Sequence, residues 1–347
     1  MQEQSFQAKL VKECIRLAAG NRLIGPKIKM GELQRHLVDK EPLWRKPEDV
    51  LWERKKLANC MVEVVQPPIP GKYALLQLHG GGYVNPLRNI YRSFAYKYAM
   101  MCGGMKVFST DYRVAPEHTH PSALLDAIAS YELILDMGYT GDQIFVAGDS
   151  AGGGLAVALC MWLREHDRPM PAKLVLMSPW LDMTASGGSY TDNYDKDPMF
   201  GGTKESMIYR GDYRDDHDPK DPYLSPLFGD FQGFPPVLMQ VGSYEVLLSD
   251  TLGVADKLKQ AGVRRRLSVY EGMFHVFQMG LDLIPESREA WNEVEEFLRI
   301  TYGISRKPDG KVVKRVKTQR KKSAAQVAGR VLEAMKKNLP DSRAVKQ

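Results

Sequence analysis

Between residues 61 and 303 the chain alternates short apolar runs with longer stretches of helical period. The runs YALLQLH (73–79), KVFST (106–110), QIFVAG (143–148), KLVLMS (173–178), PVLMQV (236–241) and RRLSVY (265–270) have the length and apolarity of strands covered on both faces. The stretches 124–137, 153–165 and 251–261 repeat apolar residues at helical spacing. Strand–helix alternation of this kind predicts an α/β fold, a mostly parallel central sheet flanked by helices. Upstream, Phe6, Leu10, Val11, Cys14, Ile15 and Ala18 recur at helical spacing over residues 2–19, and Gly20 stops the pattern. Residues 20–60 read as irregular or helical, punctuated by Pro26, Pro42 and Pro47. Residues 180–233 are rich in Asp, Tyr, Gly and Pro and show no strand pattern. That is long for a connection, so an inserted helical or lid element is expected there. The chain therefore divides into an N-terminal helical segment (1–60), a main domain (61–303) interrupted at 180–233, and an extension (304–347).

Charge sharpens this division. Residues 306–347 hold 14 Lys/Arg against 3 Asp/Glu, a local +11, so the overall +6 leaves −5 for the first 305 residues. An anionic partner is thus suggested for the extension alone. Within it Ser323 and Gln326 form a capping-box pattern, and Val327, Val331, Met335 and Leu339 follow at i, i+4 spacing, a short amphipathic helix. The extension is expected to dock on its own body or, through Lys311–Lys322, on an anionic surface; no nucleic-acid partner is expected. An apolar content of 44% and no apolar run of about 18 residues point to a soluble globular chain. The N-terminus lacks a signal peptide's apolar core, so a cytoplasmic location is expected. Cys14, Cys60, Cys102 and Cys160 are scattered without a CxxC pair and read as reduced, buried thiols.

Three stretches carry chemistry. In QIFVAGDSAGGGLAVALCMWLREH (143–166), Gly148–Asp149–Ser150–Ala151–Gly152 fits G-x-S-x-G between an apolar strand and a helix, the context that lifts a nucleophilic serine onto a tight turn. The helix N-terminus behind it offers backbone N–H groups and partial positive charge. In LQLHGGGY (76–83), three consecutive glycines at a strand end suit an oxyanion hole, with the amides of Gly81 and Gly82 joining that of Ala151. In YEGMFHVFQM (270–279), His275 follows the last strand, so the order serine, acid, histidine is that of α/β-hydrolases. The other histidines (His36, His79, His118, His120, His166 and His217) sit in less suitable places. Tyr83, Asp149, Phe200, Met207, Tyr209 and Tyr213 are candidates for a substrate pocket.

HGGGY (79–83), DYRVAPEHTHP (111–121), GDSAGGG (148–154), SPW (178–180), DP…SPL (221–227) and FHVF (274–277) occur in one order along the chain. Together these motifs resemble the hormone-sensitive-lipase-like carboxylesterases, α/β-hydrolases of the acetylesterase and arylacetamide-deacetylase type, over residues 60–303. The resemblance implies an ester hydrolase acting on small-molecule acyl esters of short to medium chain, without metal or cofactor. It also implies a cap built from the N-terminal helices and the 180–233 insertion, and it admits a homodimer. By resemblance, Asp111, Tyr112, Arg113 and Glu117 form a scaffold for the glycine loop. In GSYEVLLSD (242–250) the family register puts Glu245 in the place of the triad acid, where aspartate is commoner, and leaves Asp250 to cap the next helix. Two alternatives stand beside a Ser150–Glu245–His275 esterase. One is a silent ligand-binding protein on the same fold, as in plant gibberellin receptors, which lack the histidine present here. The other is an amidase or peptidase using the same three residues.

Overall fold

The computed structural model describes residues 4–37 and 40–300. The expectations for the basic extension and its amphipathic helix fall outside these residues. The chain opens with helices α1 (Phe6–Gly20), α2 (Gly25–Lys29) and α3 (Glu32–Leu37). Strands β1 (Leu51–Lys56), β2 (Met61–Gln66) and β3 (Tyr73–Leu78) follow, then α4 (Asn89–Ala99), β4 (Met105–Asp111), α5 (Ser122–Asp136), β5 (Ile144–Asp149), α6 (Ser150–Glu165) and β6 (Lys173–Met177). After short helices α7 (Ser189–Asp192) and α8 (Met207–Arg210) come β7 (Val237–Gly242), α9 (Leu248–Gln260), β8 (Arg265–Tyr270) and α10 (Pro285–Arg299).

The eight strands form one sheet in the order β1-β2-β4-β3-β5-β6-β7-β8, antiparallel at β1/β2 and β2/β4 and parallel elsewhere. Successive strand residues point to opposite faces, and the core divides accordingly. Leu76, Leu78, Phe108, Val146, Leu174, Leu176 and Met239 pack under α5, α6 and α9. Leu75, Val107, Phe145, Val175 and Leu238 pack under α4 and α10, where Phe94 meets Trp291 edge-on.

The sheet begins at Leu51, ahead of the expected start at residue 61, and so takes in residues that read as irregular. The hydrophobic pattern hid both antiparallel strands for physical reasons. β1 (LWERKK) is an edge strand with almost every side chain exposed, so it needs no apolar alternation. In β2 the apolar run is broken by the buried Glu63, whose carboxylate accepts from Arg92 Nε at 2.7 Å and Trp52 Nε1 at 3.1 Å.

The 180–233 insertion is less helical than expected. Only α7, α8 and a 3₁₀ turn at Pro226–Phe228 are regular within it. Carboxylates bound to local backbone amides shape it instead. Asp182 accepts from the N–H groups of Thr184 and Ser186, Asp197 from those of Met199 and Phe200, and Asp221 from that of Tyr223. The insertion meets the N-terminal segment where Lys29 Nζ donates to Gly201 O at 2.8 Å. The thiol reading also needs correcting. All four cysteines are free, yet Cys14 is exposed and Cys102 half-buried, because α1 turns Cys14 away from the body.

Candidate active site

The C-terminal ends of the parallel strands converge on one point. β5 runs into α6 at Ser150, which has a left-handed backbone (φ 50°). That turn is possible only because its flanks lack side chains. A Cβ on Gly148 would lie 2.2 Å from Gly152 O, and one on Gly152 would lie 2.1 Å from Leu78 O. The sharp turn places the Ser150 hydroxyl 2.9 Å from His275 Nε2. His275 Nδ1 in turn donates to Glu245 Oε2 at 2.9 Å.

Glu245 is fully buried and held on its second oxygen, where Oε1 accepts from Ser178 Oγ at 2.7 Å and from Gly242 N at 2.5 Å. Ser178 Oγ also accepts from Val276 N at 3.1 Å, so one hydroxyl ties the acid to the histidine segment. Asp250 stands apart from this chain of bonds, and it is not a side-chain cap of α9 as expected. Its Oδ2 accepts from the amides of Leu181 and Asp182 at 2.9 and 3.0 Å and from Tyr190 OH at 3.2 Å, anchoring the start of the insertion. Burial pushes its pKa well above the carboxylate range.

The histidine is tuned by opposing effects. Burial disfavours its charged form, but the hydrogen bond and charge of Glu245, with the charges of Asp197 and Asp149, outweigh it and raise its pKa above 6.5. Phe200 meets the ring edge-on, centroids 4.9 Å apart. Asp197, on the insertion, also accepts from Val246 N at 2.9 Å and so ties the segment that carries Phe200 to the acid turn.

The glycine loop lies opposite. Gly81 (φ 118°) and Gly82 (φ 65°) adopt conformations closed to most side chains, and among the described residues their amides have no protein acceptor. Asp149 holds the loop from below. Its Oδ1 accepts from Gly80 N at 3.0 Å and its Oδ2 from Tyr91 OH at 3.1 Å, and burial pushes its pKa up to about 7. From the side, Tyr112 OH donates to His79 O at 2.5 Å while its ring stacks on the imidazole at 4.1 Å. Burial lowers the His79 pKa to about 4, leaving a neutral ring whose Nδ1–H donates to Gly80 O at 2.7 Å. Leu87 N donates to Asp111 Oδ1, Arg113 pairs with Asp126, and Glu117 pairs with Arg35 of α3. The 111–117 motif thus supports the loop and links it to the N-terminal segment.

Chain similarity agrees with this geometry. A family model described as the alpha/beta hydrolase fold matches residues 75–279. An esterase of Acinetobacter venetianus is 34% identical over 242 residues, which cover 70% of this chain and 80% of that one. The chain belongs to the hormone-sensitive-lipase-like carboxylesterases of the α/β-hydrolase superfamily. An acetyl-hydrolase of Streptomyces hygroscopicus is 35% identical over 249 residues, covering 71% of this chain and 82% of its own. A crystal structure of an esterase from the bacterial hormone-sensitive lipase family superposes with a TM-score of 0.75 at 34% identity, over 86% of this chain and 99% of that one. This carboxylesterase is a carboxylic ester hydrolase.

A cavity of about 450 Å³ opens onto Ser150 and His275. Phe200, Met207 and Asp149 line it, along with Ile28, Ile90, Met199 and Met279. The other pocket candidates are elsewhere. Tyr83 is buried, stacked on Tyr213 at 4.3 Å, and Tyr213 OH accepts from Ala123 N at 3.1 Å. Tyr209 meets Tyr190 edge-on, outside the cavity wall. Aromatic residues in an irregular stretch serve packing as readily as a pocket, and the pattern of the chain does not separate the two. Sequence reasoning gave no role to Ser178, although it lies in the SPW motif. Asp197 and Tyr91 were missed with no pattern to mark them.

Proposed function

We propose that this carboxylesterase hydrolyses short- to medium-chain acyl esters through a Ser150–His275–Glu245 triad and an acyl-enzyme intermediate. The observation that carries the reading is the continuous bond chain from the Ser150 hydroxyl through His275 to a buried Glu245, both links at 2.9 Å. Ser150 Oγ attacks the ester carbonyl carbon while His275 Nε2 takes its proton. Glu245 holds the ring with Nδ1–H directed at its carboxylate and stabilises the imidazolium that forms. The amides of Gly81, Gly82 and Ala151 receive the negative oxygen of the tetrahedral intermediate; the loop amides, which have no protein acceptor among the described residues, and the place of Ala151 in the first turn of α6 support this role. The intermediate collapses as His275 gives its proton to the leaving alkoxide. A water then attacks the acyl carbon as His275 takes its proton; the second tetrahedral intermediate breaks its bond to Ser150 Oγ, which takes that proton back from His275, and the carboxylic acid is released.

The N-terminal helices and the insertion act as the cap over this site. Ile28 from the first and Met199, Phe200 and Met207 from the second supply its apolar roof, which supports the assignment. The short-chain part of this reading rests on the relatives. An acetyl-hydrolase among the relatives and a similar esterase whose crystal was soaked with p-nitrophenyl butyrate support the same preference. Replacing Ser150 by Ala tests the scheme. Turnover of p-nitrophenyl acetate is expected to fall by about 10³-fold or more with the melting temperature retained. Full turnover by that variant would refute it.

A further inference from the structure

Helix α1 has two apolar faces. Its inner face, Ala8, Val11 and Ile15, packs on Met273, Phe274 and Phe277 of the segment that carries His275. The other apolar row, Phe6, Leu10, Cys14 and Leu17, recurs at intervals of four, four and three and so lies along the opposite side of the helix. Phe6 and Leu17 are each 75% exposed, and Leu10 is 55% exposed. Leu23, 83% exposed, and Ile24 extend the apolar surface into the turn before α2. An exposed apolar surface of this extent marks an interaction site.

Charge selects its occupant. Exposed Lys9, Arg16, Arg22 and Lys27 border the row, and the single acid on α1, Glu13, is paired with Arg16 at 3.2 Å. Residues 4–37 hold seven Lys/Arg against two Asp/Glu, although the first 305 residues together are acidic. A second copy docked by this face would bring like charges together, since a two-fold contact pairs the same patch with itself. An anionic bilayer satisfies both features, taking the apolar row into the acyl boundary and the cations against its headgroups. We propose that the outer face of α1, with Leu23 and Ile24, seats this esterase on anionic lipid bilayers.

Location gives the contact a use. α2 starts packed against the last turn of α1, where a Cβ on Gly25 would lie 2.2 Å from Ala19 O. Ile28, on that same α2, lines the cavity. Docking therefore holds at the membrane, where apolar esters concentrate, the helix pair that contributes Ile28 to the cavity wall.

Cys14 supplies a reporter within the proposed face, as it is the exposed thiol among four. The full-length chain is labelled there with a polarity-sensitive fluorophore and mixed with phosphatidylcholine vesicles, with or without phosphatidylglycerol. A blue shift with the anionic vesicles and none with pure phosphatidylcholine is expected. The double variant Leu10→Ser/Leu17→Ser is expected to bind the anionic vesicles about tenfold or more weakly, while its hydrolysis of p-nitrophenyl acetate in buffer is unchanged. Three results would overturn the proposal. The first is co-sedimentation without a shift, which assigns binding to another part such as the basic extension. The second is a shift that grows with protein concentration in the absence of vesicles, which assigns the face to a second copy. The third is unchanged affinity in the double variant.

Discussion

Glu245 and Asp250 are both buried carboxylates within one turn and helix start, yet their bonds separate them. Glu245 reaches His275, whereas Asp250 reaches the backbone of residues 181 and 182. Glu245→Gln is therefore expected to lower kcat by about 10³–10⁴-fold without unfolding the enzyme. Asp250→Asn is expected to lower the melting temperature and spare most of kcat; steady-state kinetics with thermal melts check both. The pH profile belongs to the same pair. His275 accepts the serine proton only when neutral, and its pKa lies above 6.5. The acid limb of kcat/KM is thus expected above pH 6.5, with activity lost as pH falls through it. In Glu245→Gln the remaining burial lowers the pKa, so the limb should move to lower pH; a limb that stays in place would contradict this account. At this scale Ser150, His275 and Glu245 were legible because each sits where a strand ends and a motif begins. Asp149 was legible as a neighbour but not as the support of Gly80. Tyr91 and Asp197 were not legible at all, since long-range hydrogen bonds leave no periodic trace in the chain.

The central parallel strands could be read directly from the sequence because burial on both faces forces near-continuous apolar runs. β1 and β2 could not, one being an exposed edge and the other holding a buried Glu63–Arg92 pair. The insertion was located but its character was not, because side-chain carboxylates rather than helical periodicity fix its path. The glycine loop shows how an element can be set by its neighbours. Gly82 has φ 65°, and a Cβ there would lie 2.3 Å from Met207 Sδ. Gly82→Ala keeps the backbone N–H but strains and displaces it, and if that amide serves the proposed oxyanion hole kcat is expected to fall by at least tenfold; outright loss of such a donor typically costs about 10²–10³ in rate. Adding Met207→Ala removes the contact but leaves the backbone strain, so recovery should be partial. Complete recovery would mean that crowding by Met207 alone, and not the loop conformation, sets the rate.

For the whole molecule, the sheet carries Ser150, Glu245 and His275 at its C-terminal edge, and residues of the N-terminal segment and the insertion line the cavity beside them. The proposed acyl preference predicts the substrate profile. Across p-nitrophenyl esters from C2 to C12, kcat/KM is expected to peak at the short end and fall toward C12; a maximum at C12 would contradict the proposed acyl preference. No helix among the described residues is long and apolar enough to cross a membrane. The central claim is that Ser150 forms a covalent acyl-enzyme activated by His275. Reaction with a fluorophosphonate probe followed by peptide mapping by mass spectrometry tests it directly. The expected result is a single adduct on Ser150, absent in Ser150→Ala and strongly slowed in His275→Ala. An adduct on another residue, or equal labelling of the Ser150→Ala variant, would contradict the account.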